Sequence, residues 1–349
     1  MAYSTISKPG LHFNTVTYTG NGGTQSITGV GFRPDWTWIK ERNTAVSHQI
    51  FDVIRGATKR IYPDGTSAEN TNANSLTSFD SDGFSLGNAG STNGNSDTFV
   101  SWNWKAGNSQ GSSNTDGTIN TTYTSVNSTA KFSISQYTGT GSNATFGHGL
   151  GVAPTFCIHK ETSATGPWFV CNVKRTGDTG YMYLDQDITG STSGQSFYTA
   201  KPTSSLINLG TDADINQNGQ TYIAYCFAEV QGFSKFGTYT SNGNADGTFV
   251  YLGFKPAWVM VKNVSSTAIW MLYDNKRDND GNPNTKALMP SESNQEDVNA
   301  ENVDFLSNGF KCRGTGVKLN NSTDTFAYFA FAAEPLVANV GGSIPATAV

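Results

Sequence analysis

The sequence predicts an all-β protein made of three tandem β-sandwich modules, and three observations carry that prediction. The first is a repeat. Gly31-Phe32-Arg33-Pro34-Asp35-Trp36-Thr37-Trp38-Ile39-Lys40 returns as Gly151-Val152-Ala153-Pro154-Thr155-Phe156-Cys157-Ile158-His159-Lys160 and again as Gly253-Phe254-Lys255-Pro256-Ala257-Trp258-Val259-Met260-Val261-Lys262. Each copy is a glycine start, a proline, an alternating apolar strand and a closing lysine, and such recurrence is the mark of a repeat architecture. The second is composition: the 349 residues include 38 glycines, only 14% are charged and 12% are aromatic, a balance that favours many short strands joined by turns. The third is the absence of sustained 3.6-residue periodicity. Only residues 70–78 and 292–303 leave room for a short helix.

Each module opens on an alternating strand that closes in a Tyr-Thr pair before a glycine turn, at Tyr18-Thr19, Tyr137-Thr138 and Tyr239-Thr240. The proline-lysine strand follows, its prolines about a hundred residues apart, near the size of a small domain. A polar turn then leads to a second apolar run, residues 49–55, 167–175 and 269–278, which reads as a β-hairpin with the strand before it. Later come a polar turn and strand at residues 81–87, 204–210 and 307–314. The closing strands, residues 98–107, 221–229 and 325–334, are the most apolar, with aromatics at every second position lining one face. Strands with one apolar face call for two sheets packed face to face. The reading divides the chain into an N-terminal arm (1–10), modules at 11–107, 131–230 and 231–335, a Gly/Ser/Asn/Asp linker (108–130) and a C-terminal arm (336–349). The tight joint Glu229-Val230-Gln231-Gly232-Phe233 predicts that the second and third modules are held rigidly while the first reorients.

These motifs carry a resemblance. His12-Phe13-Asn14-Thr15 with Tyr18-Thr19-Gly20-Asn21-Gly22, His48 ahead of Phe51-Asp52 and Arg55-Gly56-Ala57-Thr58-Lys59, Ser81-Asp82-Gly83-Phe84 and Trp102-Asn103-Trp104-Lys105-Ala106-Gly107 resemble a family of tandem-repeat structural proteins of tailed, marine bacteriophages. Gly147-His148-Gly149-Leu150 and Asp304-Phe305-Leu306-Ser307-Asn308-Gly309-Phe310 extend the resemblance through residues 4–335. It implies a virion protein of the tail-fibre or appendage type, with concanavalin- or SPRY-like jelly-roll modules, and it brings no catalytic residues. The partners it implies are other virion proteins and copies of the chain itself, as a trimer in a fibre, with a host-surface glycan as a further ligand. Head decoration and an appendage polysaccharide depolymerase are the alternatives.

The residues themselves narrow the chemistry. A formal charge of −5 with scattered lysines and arginines argues against a nucleic-acid partner. No run of about 18 apolar residues spans a membrane, and the first ten residues lack the plan of a secretory signal, so synthesis in the host cytoplasm and residence in the virion are expected. Cys157, Cys171, Cys226 and Cys312 have neither disulfide nor metal spacing and read as buried free thiols. His12, His48, His148 and His159 form no HExxH, and no GxSxG occurs. Asp80 and Asp82 read as turn residues, because the other modules carry Thr203, Ser205, Leu306 and Asn308 there. The loop 274–282 only superficially resembles a calcium loop: Lys276 and Arg277 interrupt it and position 287 is alanine where the ligand set requires glutamate. No catalytic residue, metal site or cofactor is expected. Lys40, Lys160 and Lys262 read as snorkelling lysines that protect a strand edge. The paired tryptophans 36/38 and 102/104 read as core, and Trp168, directly after the loop 163–167, is the one candidate for stacking on a sugar. Function is expected in the unequal loops 59–74, 177–196 and 275–299.

Overall fold

The computed structural model describes residues 4–176, 180–192, 196–278, 282–298 and 301–336. The expected C-terminal arm thus falls, apart from Leu336, outside the described residues, as do parts of the loops 177–196 and 275–299. The described chain is almost entirely β. Its first third contains β1 (Phe13–Thr19), β2 (Gln25–Ile27), β3 (Trp36–Glu41), β4 (Gln49–Asp52), β5 (Lys59–Arg60), β6 (Asn70–Thr71), β7 (Leu76–Asp80), β8 (Gly83–Leu86), a one-turn helix α1 (Gly90–Asn93) and β9 (Thr98–Trp104). The second contains β10 (Tyr123–Asn127), β11 (Phe132–Thr138), β12 (Ala144–Gly147), β13 (Phe156–Glu161), β14 (Trp168–Asn172), α2 (Val173–Thr176), β15 (Met182–Tyr183), β16 (Leu206–Leu209), α3 (Ala213–Asn216) and β17 (Thr221–Phe227). The third contains β18 (Ser234–Asn242), β19 (Asp246–Tyr251), β20 (Phe254–Asn263), β21 (Met271–Asp274), β22 (Asn302–Leu306), β23 (Gly309–Arg313) and β24 (Ser322–Pro335).

One sheet order occurs three times: β1-β9-β3-β4, β11-β17-β13-β14 and β18-β24-β20-β21. In each repeat the closing strand pairs in antiparallel register between the opening strand and the proline-lysine strand, as Phe13↔Trp104↔Trp36, Phe132↔Phe227↔Phe156 and Ser234↔Phe331↔Trp258. A smaller sheet, β2-β8-β7, β12-β16 or β19-β23-β22, accompanies each main sheet. Ile27, Leu76, Phe84 and Leu86 of the first small sheet pack on Ile39, Phe51 and Phe99 of its main sheet, and the other two repeats have their own clusters of this kind.

The opposite faces of the three main sheets meet one another. Trp36, Trp104, Tyr225, Phe227, Trp258 and Phe331 belong to a single central cluster. Ring centroids lie 4.6 Å apart for Trp36 and Tyr225, 5.7 Å for Trp104 and Trp258, and 4.1 Å for Phe156 and Phe329, so every repeat touches the other two. This explains why β3 and β13 are buried at every position and β17 at every position but Thr221. Successive side chains alternate between the repeat's own small sheet and the shared core. Large aromatics on the shared side contribute most, each burying on the order of 150–250 Å².

Three expectations change. The first repeat does not stand apart: its Phe13, Trp36, Trp38, Trp102 and Trp104 are in the common core. The segment 108–130 is not a free linker, because β10 pairs with the edge of β11 and Ser112 bridges Thr124. The windows 70–78 and 292–303 hold strand residues at Asn70–Thr71, Leu76–Asp80 and Asn302–Leu306 instead of a helix, since each finds a ladder partner.

Candidate functional site

The conspicuous polar residues of the repeats go first into the repeats themselves. The tyrosine of each Tyr-Thr pair donates to a carbonyl far along the chain: Tyr18 to Thr92 at 2.8 Å, Tyr137 to Ile215 at 2.6 Å and Tyr239 to Leu319 at 2.7 Å. The next residue in each case is a buried asparagine, Asn93, Asn216 or Asn320. Its amide nitrogen donates to a glycine carbonyl six residues earlier, at 2.9 Å for Gly87, 2.6 Å for Gly210 and 2.9 Å for Gly314. Its Oδ1 accepts from the backbone N–H of a residue at the end of the opening strand or just after it, Asn21, Thr140 or Asn242. Sequence reading missed this set; a glycine followed six residues later by asparagine, in all three repeats, was the signal.

Two of the three lysines close junctions between repeats, Lys160 onto the first and Lys262 onto the second, while Lys40 is tied within its own repeat. Lys160 is buried and its ammonium donates to the carbonyls of Thr66 (3.0 Å), Glu161 (2.9 Å) and Gly166 (2.8 Å). Lys262 does the same to Asp187 (2.9 Å), Asn263 (3.1 Å) and Ala268 (2.6 Å). Lys40 reaches Glu41 (2.6 Å) and Thr44 (3.4 Å). An ammonium has three donors and no acceptor, so three converging carbonyls satisfy it. Burial pulls each of the three down to about 8. They are not edge guards: β3, β13 and β20 are interior strands.

Trp168 lies at the same junction and is fully buried. Its indole N–H donates to the carbonyls of Tyr62 (2.7 Å) and Gly65 (3.2 Å) in the first repeat. It therefore offers no face to a sugar, because the loop 59–74 has folded over it. Trp270 is its counterpart and donates to Tyr183 of the second repeat at 2.8 Å. His48 holds the third equivalent position and accepts from Trp38 at 2.9 Å; burial, then the nearby Lys40 charge, hold its pKa well below the usual range. The third repeat reaches the first through Glu296, which pairs with Arg42 at 2.9 and 3.0 Å and donates its backbone N–H to the Arg42 carbonyl. The described parts of the three unequal loops thus link first to second, second to third, and third back to first.

Deeper in the same junctions, Asp52 and Arg55 form a buried pair at 2.5 Å that Tyr225 of the second repeat joins at 2.7 Å. Asp274 and Arg277 form its counterpart at 2.6 Å, joined by Trp102 of the first repeat at 2.9 Å. Burial alone would raise the Asp274 carboxyl, but the Arg277 charge and the hydrogen bonds hold it below the ordinary range. Asp274 is thereby committed to an ion pair. Asp82 accepts from Gly29 and Gly31, and Asp80 from Ser78 and Ser85, as turn residues. His159 is enclosed by Tyr137 (3.1 Å) and Tyr198 (2.6 Å). Tyr137 spends its one proton on the Ile215 carbonyl, so His159 Nδ1 carries the hydrogen and Nε2 accepts from Tyr198. Desolvation lowers its pKa to about 3. The four cysteines are buried and form no disulfide.

One surface trough open to a ligand lies at the joint between the second and third repeats. A groove of about 710 Å³ lined by Lys131, Val152, Thr155, Glu229 and Gln231 adjoins one of about 410 Å³ lined by Glu229, Gln231, Lys235 and Tyr251. Glu229 and Gln231 line both, so the two grooves meet at these side chains. Tyr251 is 51% exposed and Phe249, two residues away on the same face of β19, is 42% exposed. The Lys235 ammonium sits 5.2 Å from the Tyr251 ring centroid and donates to the Tyr251 carbonyl at 2.7 Å. Glu229 is anchored by Lys174 at 2.6 Å and by the Phe236 N–H at 2.8 Å. Sequence reading passed over Phe249 and Tyr251, although two aromatics spaced by two on a strand that begins Asp-Gly mark an outward face.

Among the described residues no cluster of metal-ligating side chains occurs and no helix is long and apolar enough to cross a membrane. No curated protein matches the chain. A family profile described as a domain of unknown function, DUF7483, matches residues 8–335, the whole span of the three repeats. The chain therefore belongs to the DUF7483 family.

Proposed function

We propose that the protein is a non-enzymatic structural component of a tailed-bacteriophage virion, part of a tail fibre or other appendage, which assembles with neighbouring virion proteins and attaches to a host-surface glycan. The observation that supports this reading is how the reactive-looking groups are used. Lys160, Lys262, the Asp52–Arg55 and Asp274–Arg277 pairs and Trp168 are spent on contacts between repeats. That is the economy of a rigid body, since a buried, fully hydrogen-bonded polar network fixes one arrangement. Each repeat, a main sheet built on the same four-strand order, extended to six strands in the second repeat, with a smaller sheet packed on it, is read as a sandwich of the jelly-roll, lectin-like kind. Self-association as a trimer is part of the same reading.

Immunogold labelling of intact virions with antibody to the purified chain tests the location: label on the tail appendage supports it, and label absent from virions overturns it. Incubating the chain with host polysaccharide and measuring new reducing ends tests the rest. Sustained release of ends would make it a depolymerase. Sedimentation of the 37.3 kDa chain tests self-association, with a species near three times that mass expected and a monomer removing the trimer.

A further inference from the structure

We propose that the trough between the second and third repeats binds an anionic polysaccharide segment, laying a sugar ring against Tyr251 and facing its carboxylates toward Lys131, Lys174 and Lys235. The proposal rests on the attachment half of the reading above and adds the site and the ligand class.

Charge points to an anion. The whole chain carries a formal −5, yet three ammonium groups, Lys131, Lys174 and Lys235, surround the single carboxylate Glu229 in and beside the trough. Three ammonium groups against one carboxylate leave the concave surface with a net positive charge, which concentrates anions. The lysines are also held in place. Lys131 donates to the Leu150 carbonyl at 3.1 Å. Lys235 is fixed by the Tyr251 carbonyl and Lys174 by Glu229. Such anchoring reduces the ordering cost of binding.

The aromatic wall points to a sugar. A pyranose offers an apolar C–H face and a rim of hydroxyls, so it suits an exposed ring flanked by amide and charged groups. Tyr251 supplies the ring, and the exposed Gln231 supplies an amide at the point where the two grooves meet. Phe249 continues the apolar line along β19, opposite Lys311 of β23. The feature is confined to one repeat. By register the positions of Phe249 and Tyr251 correspond to Ser26 and Thr28 in the first repeat and to Thr145 and Gly147 in the second. The strand backbone alone therefore does not demand aromatics there. The combined length, from Val152 at one end to Tyr251 at the other, suits several linked sugars better than a monosaccharide.

The test is binding of the full chain by isothermal titration and saturation-transfer NMR to an oligouronate, with maltohexaose as the neutral sugar and polyglutamate as the anionic non-sugar. The oligouronate should bind, with saturation transfer to its ring C–H protons, and the other two should bind at least tenfold more weakly. Tyr251→Ala should weaken binding tenfold or more, and Lys235→Gln should weaken it and reduce its salt dependence. Both side chains are at the surface, so circular dichroism should show both variants folded. Failure of the oligouronate to bind, equal binding of maltohexaose or polyglutamate, or an unchanged affinity in Tyr251→Ala would each overturn the proposal. None of these results alters the virion labelling that tests location.

Discussion

Replacing Lys160 by methionine tests whether the junction lysines hold the repeats together. Methionine keeps the length and apolar stem of the side chain and removes the ammonium. Three backbone carbonyls, those of Thr66, Glu161 and Gly166, then lose their donor. At about 1–3 kcal/mol for each buried group left unsatisfied, the loss is about 6 kcal/mol. Against this stands the cost of burying the ammonium. Holding a lysine at about 8 instead of 10.5 costs about 3 kcal/mol at neutral pH, at about 1.4 kcal/mol per pH unit. Lys160→Met should therefore destabilise the fold by about 3 kcal/mol, read from the urea midpoint at constant slope. Lys262→Met should match it, whereas Lys40→Met should cost less, because Lys40 has one short carbonyl bond and one of 3.4 Å. A Lys160→Met chain as stable as the parent, or a reversed order of the three variants, would refute the argument.

Other outcomes follow from the same contacts. Asn216→Ala leaves the Gly210 and Ser142 carbonyls and the Thr140 N–H without their partner, and should cost about 3 kcal/mol, measured by thermal or urea unfolding. Asp274→Asn takes the nearest counter-charge from a buried guanidinium and should cost about 3–5 kcal/mol; the Trp102 emission, reporting its Nε1 bond, should shift with it. His159 titrates at about 3 when folded and near 6.5 when unfolded, so the unfolded chain binds more protons between these values and stability must fall as pH drops from 6.5 toward 3. His159→Gln should flatten that part of the stability profile even if it lowers its overall level; an unchanged slope would assign the acid sensitivity elsewhere. In the opposite range, the three lysines lose their burial cost as pH rises from 8 toward 10, so stability should rise there, up to the point where unfolded tyrosines begin to ionise.

The strands were legible because a strand's pattern is local. Alternation at Trp36-Thr37-Trp38 and a Tyr-Thr pair before a glycine turn say what each segment is without reference to any other. What was hidden is the neighbour of each polar tip. Whether Lys160 guards an edge or caps a junction depends on β13 lying between β17 and β14, a pairing between residues about 65 positions apart. Trp168 looked available because a loop precedes it, yet the carbonyls that cover it come from Tyr62 and Gly65, about a hundred residues upstream. The equivalence of His48, Trp168 and Trp270 is invisible to a comparison of residue types, since an imidazole replaces two indoles. The trough escaped notice for the opposite reason: the spacing of Phe249 and Tyr251 puts them on one face of a strand, and only the register and their exposure show that this face is the outer one.

The described ends of the chain lie side by side: residues 7–10 and 333–335 line one groove. The third and first repeats are held together with no covalent link between them, through the Arg42–Glu296 pair and the Trp102–Asp274 bond. A gene in which residues 335 and 8 were joined by a short linker and new ends were opened near residue 110 would encode the same set of pairings. The order in which the repeats are written along the polypeptide is therefore separable from the architecture, and such a permuted chain would keep every strand partner while moving both ends to the opposite seam.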